Sequence, residues 1–144
     1  MEPHHYPVDV TWESGKQGRV ASSDGLPAVT VASPPEFGGP GGLWSPEHLF
    51  VAALASCYMT TYLAIAERSR LEVAGLAVPA EGRLVQGEDR RFSIDRVVLR
   101  PVIRIRDEAD REKAERIAEK SEEVCLITRS VRSEVVLEAT VETG

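Results

Sequence analysis

Two cysteines, Cys57 and Cys125, are the residues of this sequence best suited to covalent chemistry. A thiolate attacks electrophiles, and a second thiol can then close a disulfide with the oxidised sulfur. In a reducing compartment such a pair is more often catalytic, redox-active or simply buried than a permanent crosslink. The simplest interpretation of Cys57 is a small apolar side chain in a core, because it lies in an alanine-rich helical segment.

A reactive Cys57 needs a group that lowers the pKa of its thiol. The start of the predicted helix lies about 15 Å away along the axis, so the helix dipole cannot do this. A cationic side chain must therefore approach from another part of the chain. Lys16 and Arg19, in and just after an early turn, are the candidates.

Other site chemistries have little support in the sequence. Cys57 and Cys125 are far apart in the chain and the three histidines lack ligand spacing, so no metal site is expected. No histidine has a neighbour that would orient it for a catalytic triad. The glycine-rich segment 38–42 is not followed by the Lys-Ser/Thr of a phosphate-binding loop. We therefore expect no cofactor.

Composition indicates a globular protein. The 144 residues, 42% of them apolar, suffice for a single domain over 1–144 with a buried core. A net charge of −6 offers no basic surface for nucleic acid or an anionic membrane. The apolar run 49–59 is short for a membrane span, and residues 1–5 lack the apolar segment of a signal peptide, so a cytoplasmic location is expected. The absence of asparagine and the excess of arginine over lysine suit a thermophile or a GC-rich genome.

Hydrophobic periodicity predicts the elements that would position the two cysteines. Ser45 and Pro46 are typical of a helix start, and the helix that follows is apolar on nearly every face, which favours a central buried position. A short helix or turn around 122–130 carries Cys125. The other predicted elements are strands over 6–12, 19–22 and 28–32, a long antiparallel hairpin over 73–84 and 92–106, a charged helix over 107–120 and a strand over 131–141. This order is typical of the α+β class.

The segment Ser45-Pro46-Glu47-His48-Leu49-Phe50, which leads to Cys57, resembles the OsmC/organic hydroperoxide resistance family. The turn 22–25, the loop 38–42 and a second cysteine, Cys125, before a terminal strand fit the same pattern. The resemblance covers essentially the whole chain. It implies an OsmC-like α+β fold, in which an antiparallel sheet wraps a long buried central helix that carries Cys57. It also implies an intertwined homodimer with two sites at the interface.

The family resemblance implies a thiol-dependent peroxidase that reduces organic hydroperoxides. Cys57 would be the peroxidatic cysteine, which becomes a sulfenic acid, and Cys125 would resolve it to a disulfide. The acidic neighbours of Cys125, Glu122 and Glu123, would disfavour its own thiolate and suit that resolving role. Relatives are reduced again by dithiols of the lipoyl type.

The resemblance also assigns roles to Glu47 and to a basic residue. Glu47 matches the acidic residue that pairs with an arginine near the thiolate, but Lys16 stands where relatives carry that arginine. A lysine cannot make the planar two-pronged contact, so either Lys16 substitutes or Arg19 reaches the site. Glu47 precedes Cys57 by ten residues, about 15 Å along one helix, so it would have to serve the partner subunit's site.

The apolar residues Phe50, Leu54 and Tyr58 are expected to line a substrate pocket that favours alkyl or lipid hydroperoxides over hydrogen peroxide. A second departure from the family pattern is Leu126, where many relatives have proline. Two alternatives remain open: a non-catalytic dimer that binds a small molecule, which Lys16 favours, and two unreactive core cysteines. Loss of two thiols per chain on treatment with an organic hydroperoxide would distinguish the peroxidase from both.

Overall fold

Nine strands and two α-helices make up the chain, and the computed structural model describes all 144 residues. In order, they are β1 (Asp9–Ser14), β2 (Gln17–Ala21), β3 (Val29–Ala32), α1 (Pro46–Arg68), β4 (Val73–Ala77), β5 (Ala80–Gln86), β6 (Phe92–Leu99), β7 (Val102–Ile105), α2 (Arg111–Val124), β8 (Glu134–Leu137) and β9 (Thr140–Thr143). This mixture confirms the α+β class. The chain divides into two compact units, residues 1–49 and 50–144, and the single domain over 1–144 stays a prediction.

The three predicted N-terminal strands form an antiparallel sheet in the order β1-β2-β3. Gly15, in the turn between β1 and β2, has a φ of 51°, a left-handed conformation that glycine adopts without strain. The segment 33–42, which includes the glycine-rich loop 38–42, follows β3. Gly39 lies so close to Ser33 in this loop that a Cβ atom would be 1.5 Å from the Ser33 carbonyl oxygen. Glycine is therefore required there for the loop to fold back on itself.

The start of α1 confirms the predicted helix signal. The side-chain oxygen of Ser45, which is 1% exposed, accepts a hydrogen bond from the N–H of His48 at 3.1 Å. Pro46 is the first helical residue, where its missing N–H costs nothing. The helix ends at Arg68, in a charged and exposed segment.

One face of α1 forms part of the core of residues 50–144. Leu54, Tyr58, Tyr62 and Ala66 are spaced four residues apart and are all buried. They pack against the buried side chains Leu71, Val97, Leu99, Ile103, Ile105, Ala114, Ile117 and Ala118. The opposite face is exposed, with Leu63 at 42%. Within one chain α1 is therefore buried along a stripe and not on every side.

By length and composition alone, α1 could cross a membrane, with a mean hydropathy of 1.8 over its most apolar window. The apolar run 49–59, broken by Ser56, suggested otherwise, because isolated residues such as Ser56 and Thr60 interrupt a run but barely lower the mean hydropathy of a longer window. The buried stripe that packs against strands and α2 identifies α1 as a core helix.

The predicted long hairpin forms, but both of its strands are broken at prolines. β5 pairs with β6, and β4 pairs with β7, on either side of Pro79 and Pro101. Proline donates no main-chain hydrogen bond, so each strand stops there. β8 and β9 then pair in parallel with β6 and β7, which makes these sheets mixed and not purely antiparallel as expected. The parallel pairing follows from the connection through α2, because a crossover helix returns the chain so that β8 and β9 run in the same direction as β6 and β7.

Candidate functional site

The two cysteines lie together although they come from different elements. Cys57 is in the middle of α1, while Cys125 directly follows α2 and begins a turn that runs to Ser130. Both thiols are free; Cys57 is half-buried and Cys125 is fully buried. Their side chains form a hydrogen bond with each other. The fold thus brings together the two residues that the sequence marks as reactive.

The sulfur of Cys57 is surrounded by hydrogen-bond donors. They are the side chains of Cys125 and Thr61 and the main-chain N–H groups of Leu126 and Ile127. Thr61 lies one helical turn after Cys57, with its Oγ1 atom 3.8 Å from the Cys57 Sγ atom. Burial by itself raises the pKa of the Cys57 thiol, but these hydrogen bonds outweigh burial and hold the pKa below its ordinary value.

The environment of Cys125 has the opposite effect. Burial raises the pKa of the Cys125 thiol, and the hydrogen bond with Cys57 raises it further. The N–H group and the side chain of Thr128 lower it only in part. The direction matches the expectation, but the main cause is burial and not the acidic neighbours in sequence. In this pair the proton belongs on Cys125 and the negative charge on Cys57.

The turn from Cys125 to Ser130 directs main-chain N–H groups at both sulfurs. The backbone of Cys125 is extended (φ −60°, ψ 117°), and its side chain accepts the N–H of Thr128 three residues later. A serine that caps a helix has the same arrangement. The N–H groups of Leu126 and Ile127 at the start of the turn are left to bond the sulfur of Cys57.

Sequence reasoning missed this contribution. It required a cation near Cys57, whereas the groups that lower the pKa of its thiol are neutral hydrogen-bond donors. One signal was available: Leu126 stands where many relatives have proline, and a proline at this position would have no N–H to donate. Thr61 could also have been found, because residues four apart face the same side of a helix.

The other predicted catalytic residues lie in residues 1–49. The Lys16 Nζ atom donates a hydrogen bond to the carbonyl oxygen of Phe37 at 2.7 Å. Arg19 is exposed on β2, and Glu47 is half-buried in the first turn of α1. Ten residues of continuous helix separate Glu47 from Cys57, so these two side chains of one chain do not meet. The roles of Lys16, Arg19 and Glu47 stay predictions.

Of the three expected pocket residues, only Phe50 faces a cavity. Leu54 and Tyr58 have no exposed surface, and the Tyr58 hydroxyl donates to the carbonyl oxygen of Ala118 at 3.0 Å. Assigning these two residues to a substrate pocket was therefore wrong for the single chain, because their face of α1 packs against α2. The cavity at Phe50 has a volume of about 590 Å³ and is also lined by Ser93, Ile94, Asp95, Ser130, Val131, Arg132 and Ser133.

Comparison with known proteins agrees with this architecture. The sequence model of the OsmC-like protein family matches residues 39–140. The chain belongs to the OsmC-like family. Uncharacterized protein YmaD of Bacillus subtilis is 28% identical over 149 aligned positions, which cover 100% of this chain and 99% of YmaD. The organic hydroperoxide resistance protein of Xanthomonas axonopodis pv. citri is 35% identical over 71 residues, 49% of this chain and 50% of that relative.

A solved structure supports the same family assignment. An OsmC-like protein of unknown function from Vibrio cholerae superposes on this OsmC-like chain with a TM-score of 0.84 at 26% identity. The match covers 95% of this chain and 99% of that protein. The family resemblance and the OsmC-like fold class predicted from the sequence are thereby confirmed.

Proposed function

We propose that this OsmC-like chain is a thiol-dependent peroxidase that reduces organic hydroperoxides and so protects the cell against them. The observation that carries the proposal is the hydrogen-bonded pair of Cys57 and Cys125, whose thiol pKa values are shifted in opposite directions. In such a pair, the cysteine with the lowered pKa is suited to be the nucleophile and the cysteine with the raised pKa is suited to be the resolving thiol. The similarity of half the chain to an organic hydroperoxide resistance protein supports the substrate class.

The first step would be attack by the Cys57 thiolate on the terminal peroxide oxygen. The O–O bond breaks, Cys57 becomes a sulfenic acid, and the departing alkoxide takes a proton from water to give the alcohol. The donors around the Cys57 sulfur favour this step because they lower the pKa of the thiol and so increase the fraction present as thiolate. A buried cysteine without them would react slowly.

The second step would be attack by the sulfur of Cys125 on the Cys57 sulfenic acid. The Cys125 thiol loses its proton, the hydroxyl of the sulfenic acid leaves as water, and a Cys57–Cys125 disulfide forms. The existing hydrogen bond between the two side chains supports this step, since it needs little rearrangement. An external dithiol, of the lipoyl type in relatives, would then reduce the disulfide and complete the cycle. Such a cycle suits a reducing cytoplasm.

The cavity at Phe50 is the candidate entrance for an organic substrate. Its volume of about 590 Å³ exceeds what hydrogen peroxide needs, and Phe50 and Ile94 contribute apolar surface to it. The cavity is formed in part by residues 130–133, which directly follow the turn that holds Cys125. Alkyl or lipid hydroperoxides are therefore the proposed substrates.

A homodimer would complete the site. The exposed face of α1 carries small residues and Leu63, an apolar surface suited to a second copy of the helix. In such a dimer Glu47 would serve the partner subunit's site, and Lys16 or Arg19 would supply the positive charge. The present hydrogen bond of Lys16 to Phe37 favours Arg19 as the more available of the two.

Thiol titration tests the proposal directly. The reduced protein should lose two thiols per chain after one equivalent of cumene hydroperoxide and regain both with a dithiol. Less than stoichiometric loss of thiols would contradict the peroxidase and favour a non-catalytic binding dimer. The same titration with hydrogen peroxide should proceed more slowly if the cavity selects organic substrates.

A further inference from the structure

The hydroxyl of Thr128 is a buried polar group that neither the attack of Cys57 on a peroxide nor the formation of the disulfide accounts for. Its oxygen is shielded from solvent and has no hydrogen-bond partner in the protein. Buried hydroxyls without such partners are uncommon, because losing hydration without a replacement bond costs free energy. The titratable group that Thr128 influences is the thiol of Cys125, whose pKa the hydroxyl and the N–H group of Thr128 both lower.

The local geometry explains why Thr128 can reach that sulfur. The carbonyl oxygen of Cys125 accepts the N–H of Arg129 at 3.1 Å, which closes the turn and brings residue 128 back over the Cys125 side chain. Thr61 occupies the corresponding place at Cys57, four residues away on the same helix. Each cysteine thus has one threonine hydroxyl beside its sulfur.

We propose that Thr128 is a positioning residue for the resolving step, in which its hydroxyl donates a hydrogen bond to the Cys125 sulfur as that thiol becomes the nucleophile. The inference rests on the proposed function for the sulfenic acid that Cys125 attacks. Once Cys57 is oxidised, it no longer offers a thiolate to the Cys125 proton. Cys125 must then lose this proton in a buried site, and the two donors of Thr128 are the groups that stabilise the resulting charge.

A reaction that does not involve peroxide isolates this step. Cys57 displaces one coloured thiolate from a bis(nitrobenzoate) disulfide and forms a mixed disulfide. Cys125 then attacks the Cys57 sulfur, releases the second coloured thiolate and closes the protein disulfide. With Thr128→Val, which keeps the volume and removes the hydroxyl, we expect the first release at the normal rate and the second about tenfold slower.

Two further variants separate the hydroxyl from the packing of the side chain. Thr128→Ser keeps the donor and should restore the second release to near the normal rate. Thr140→Val removes an exposed hydroxyl on β9, outside both α1 and the turn 125–130, and should change neither phase. Unfolding in urea should show Thr128→Val to be no less stable than the native chain, because the hydroxyl lost has no hydrogen-bond partner.

Treatment with cumene hydroperoxide gives the second readout. Thr128→Val should form the Cys57 sulfenic acid normally, hold it longer and accumulate more sulfinic acid than the native protein. A second release as fast as in the native chain, or a Thr128→Ser variant as slow as Thr128→Val, would overturn the role of the hydroxyl. A native protein that ignores peroxide but shows the predicted two-phase release would contradict the peroxidase and leave the role of Thr128 intact.

Discussion

The sulfur of Cys57 and the thiol of Cys125 share one hydrogen bond, and their environments shift the pKa values of the two groups in opposite directions. Burial raises the pKa of both thiols, so burial alone does not give the two shifts opposite directions. The difference comes from where the donors lie: four face Cys57, while Cys125 has only the two of Thr128. The turn 125–130 therefore assigns the charge to one sulfur and the proton to the other.

Replacing each cysteine separately should distinguish the peroxidatic role of Cys57 from the resolving role of Cys125. Cys57→Ser should abolish consumption of cumene hydroperoxide, because the remaining Cys125 thiol is buried and protonated. Cys125→Ser should consume about one equivalent and leave a sulfenic acid on Cys57 that dimedone traps. Excess peroxide should then oxidise that variant further. A reactive Cys57→Ser together with an inert Cys125→Ser would mean that the roles are reversed.

Thr61 offers a test of how the Cys57 thiolate is stabilised. Thr61→Val removes a donor 3.8 Å from the sulfur, so the pKa of the Cys57 thiol should rise and the thiolate fraction near neutral pH should fall. We expect alkylation by iodoacetamide at pH 7 to slow roughly threefold and to recover at higher pH, where both proteins are ionised. Thr140→Val, which removes an exposed threonine hydroxyl on β9, is the matched control and should alkylate at the native rate. Equal rates for all three proteins would exclude Thr61 from the stabilisation.

Leu126 tests the contribution of the main chain. Leu126→Pro should raise the pKa of the Cys57 thiol, because proline has no N–H to donate to the sulfur. The extended backbone of Cys125, with ψ at 117°, is compatible with a following proline, so the turn should survive. Leu126→Ala keeps the N–H and removes a side chain that is already 65% exposed, so its alkylation profile should match the native one. A Leu126→Pro profile identical to both would show that this N–H has no influence.

The elements with strong local signals were predictable from the sequence. Ser45 and Pro46 begin α1 through hydrogen bonding and backbone geometry confined to a few residues. Cys57 could be singled out as the candidate nucleophile because the motif before it is specific and lies on the same helix. The interruptions of the strands at Pro79 and Pro101 also follow from a local property, because proline has no N–H to donate, although the hydrophobic periodicity suggested uninterrupted strands.

The surroundings of Cys57 could not be predicted in the same way. The N–H groups of Leu126 and Ile127 belong to the main chain, which leaves no residue-type signal, and their direction depends on how the turn after α2 packs on α1. Leu54 and Tyr58 were misplaced for a related reason. Successive helical residues point about 100° apart, so closeness to Cys57 along the chain did not mean a shared face. Only the packing of α2 reveals which side of α1 is closed.

Two buried tyrosines should contribute measurably to stability. Tyr58 and Tyr62 donate to the carbonyl oxygens of Ala118 and Ala114 at 3.0 and 3.1 Å, which ties α1 to α2. Tyr58→Phe and Tyr62→Phe should each lower the free energy of unfolding by about 1 kcal/mol, measured in urea. The exposed Tyr6 provides the control, since Tyr6→Phe should change stability by less than about 0.5 kcal/mol. An equal effect at all three positions would contradict a role for the buried bonds.

The same tyrosines predict loss of stability in alkali. Burial raises the pKa of Tyr62 to about 12, whereas an unfolded tyrosine ionises near pH 10. The raised pKa means that the folded state retains the phenol proton longer, so its contribution is complete below pH 10 and is lost as the pH rises to about 12. Tyr62→Phe should therefore make stability less dependent on pH across that interval.

The exposed face of α1 supports a final prediction about assembly. Leu63 is 42% exposed and shares that face with the small residues Ala53, Ser56, Thr60 and Ala64, which would let a second helix approach closely. Burying the exposed part of each copy of Leu63 in a symmetric dimer would contribute about 1 kcal/mol, and a two-fold axis doubles the effect of any change there. Leu63→Glu should therefore shift the protein from dimer to monomer in sedimentation velocity, because the interface would have to bury two unpaired carboxylates.

Leu84 on β5 is 40% exposed and provides a matched control, so Leu84→Glu should stay dimeric. A native chain that sediments as a monomer, or a Leu63→Glu variant that remains a dimer, would show that this face of α1 is not the interface.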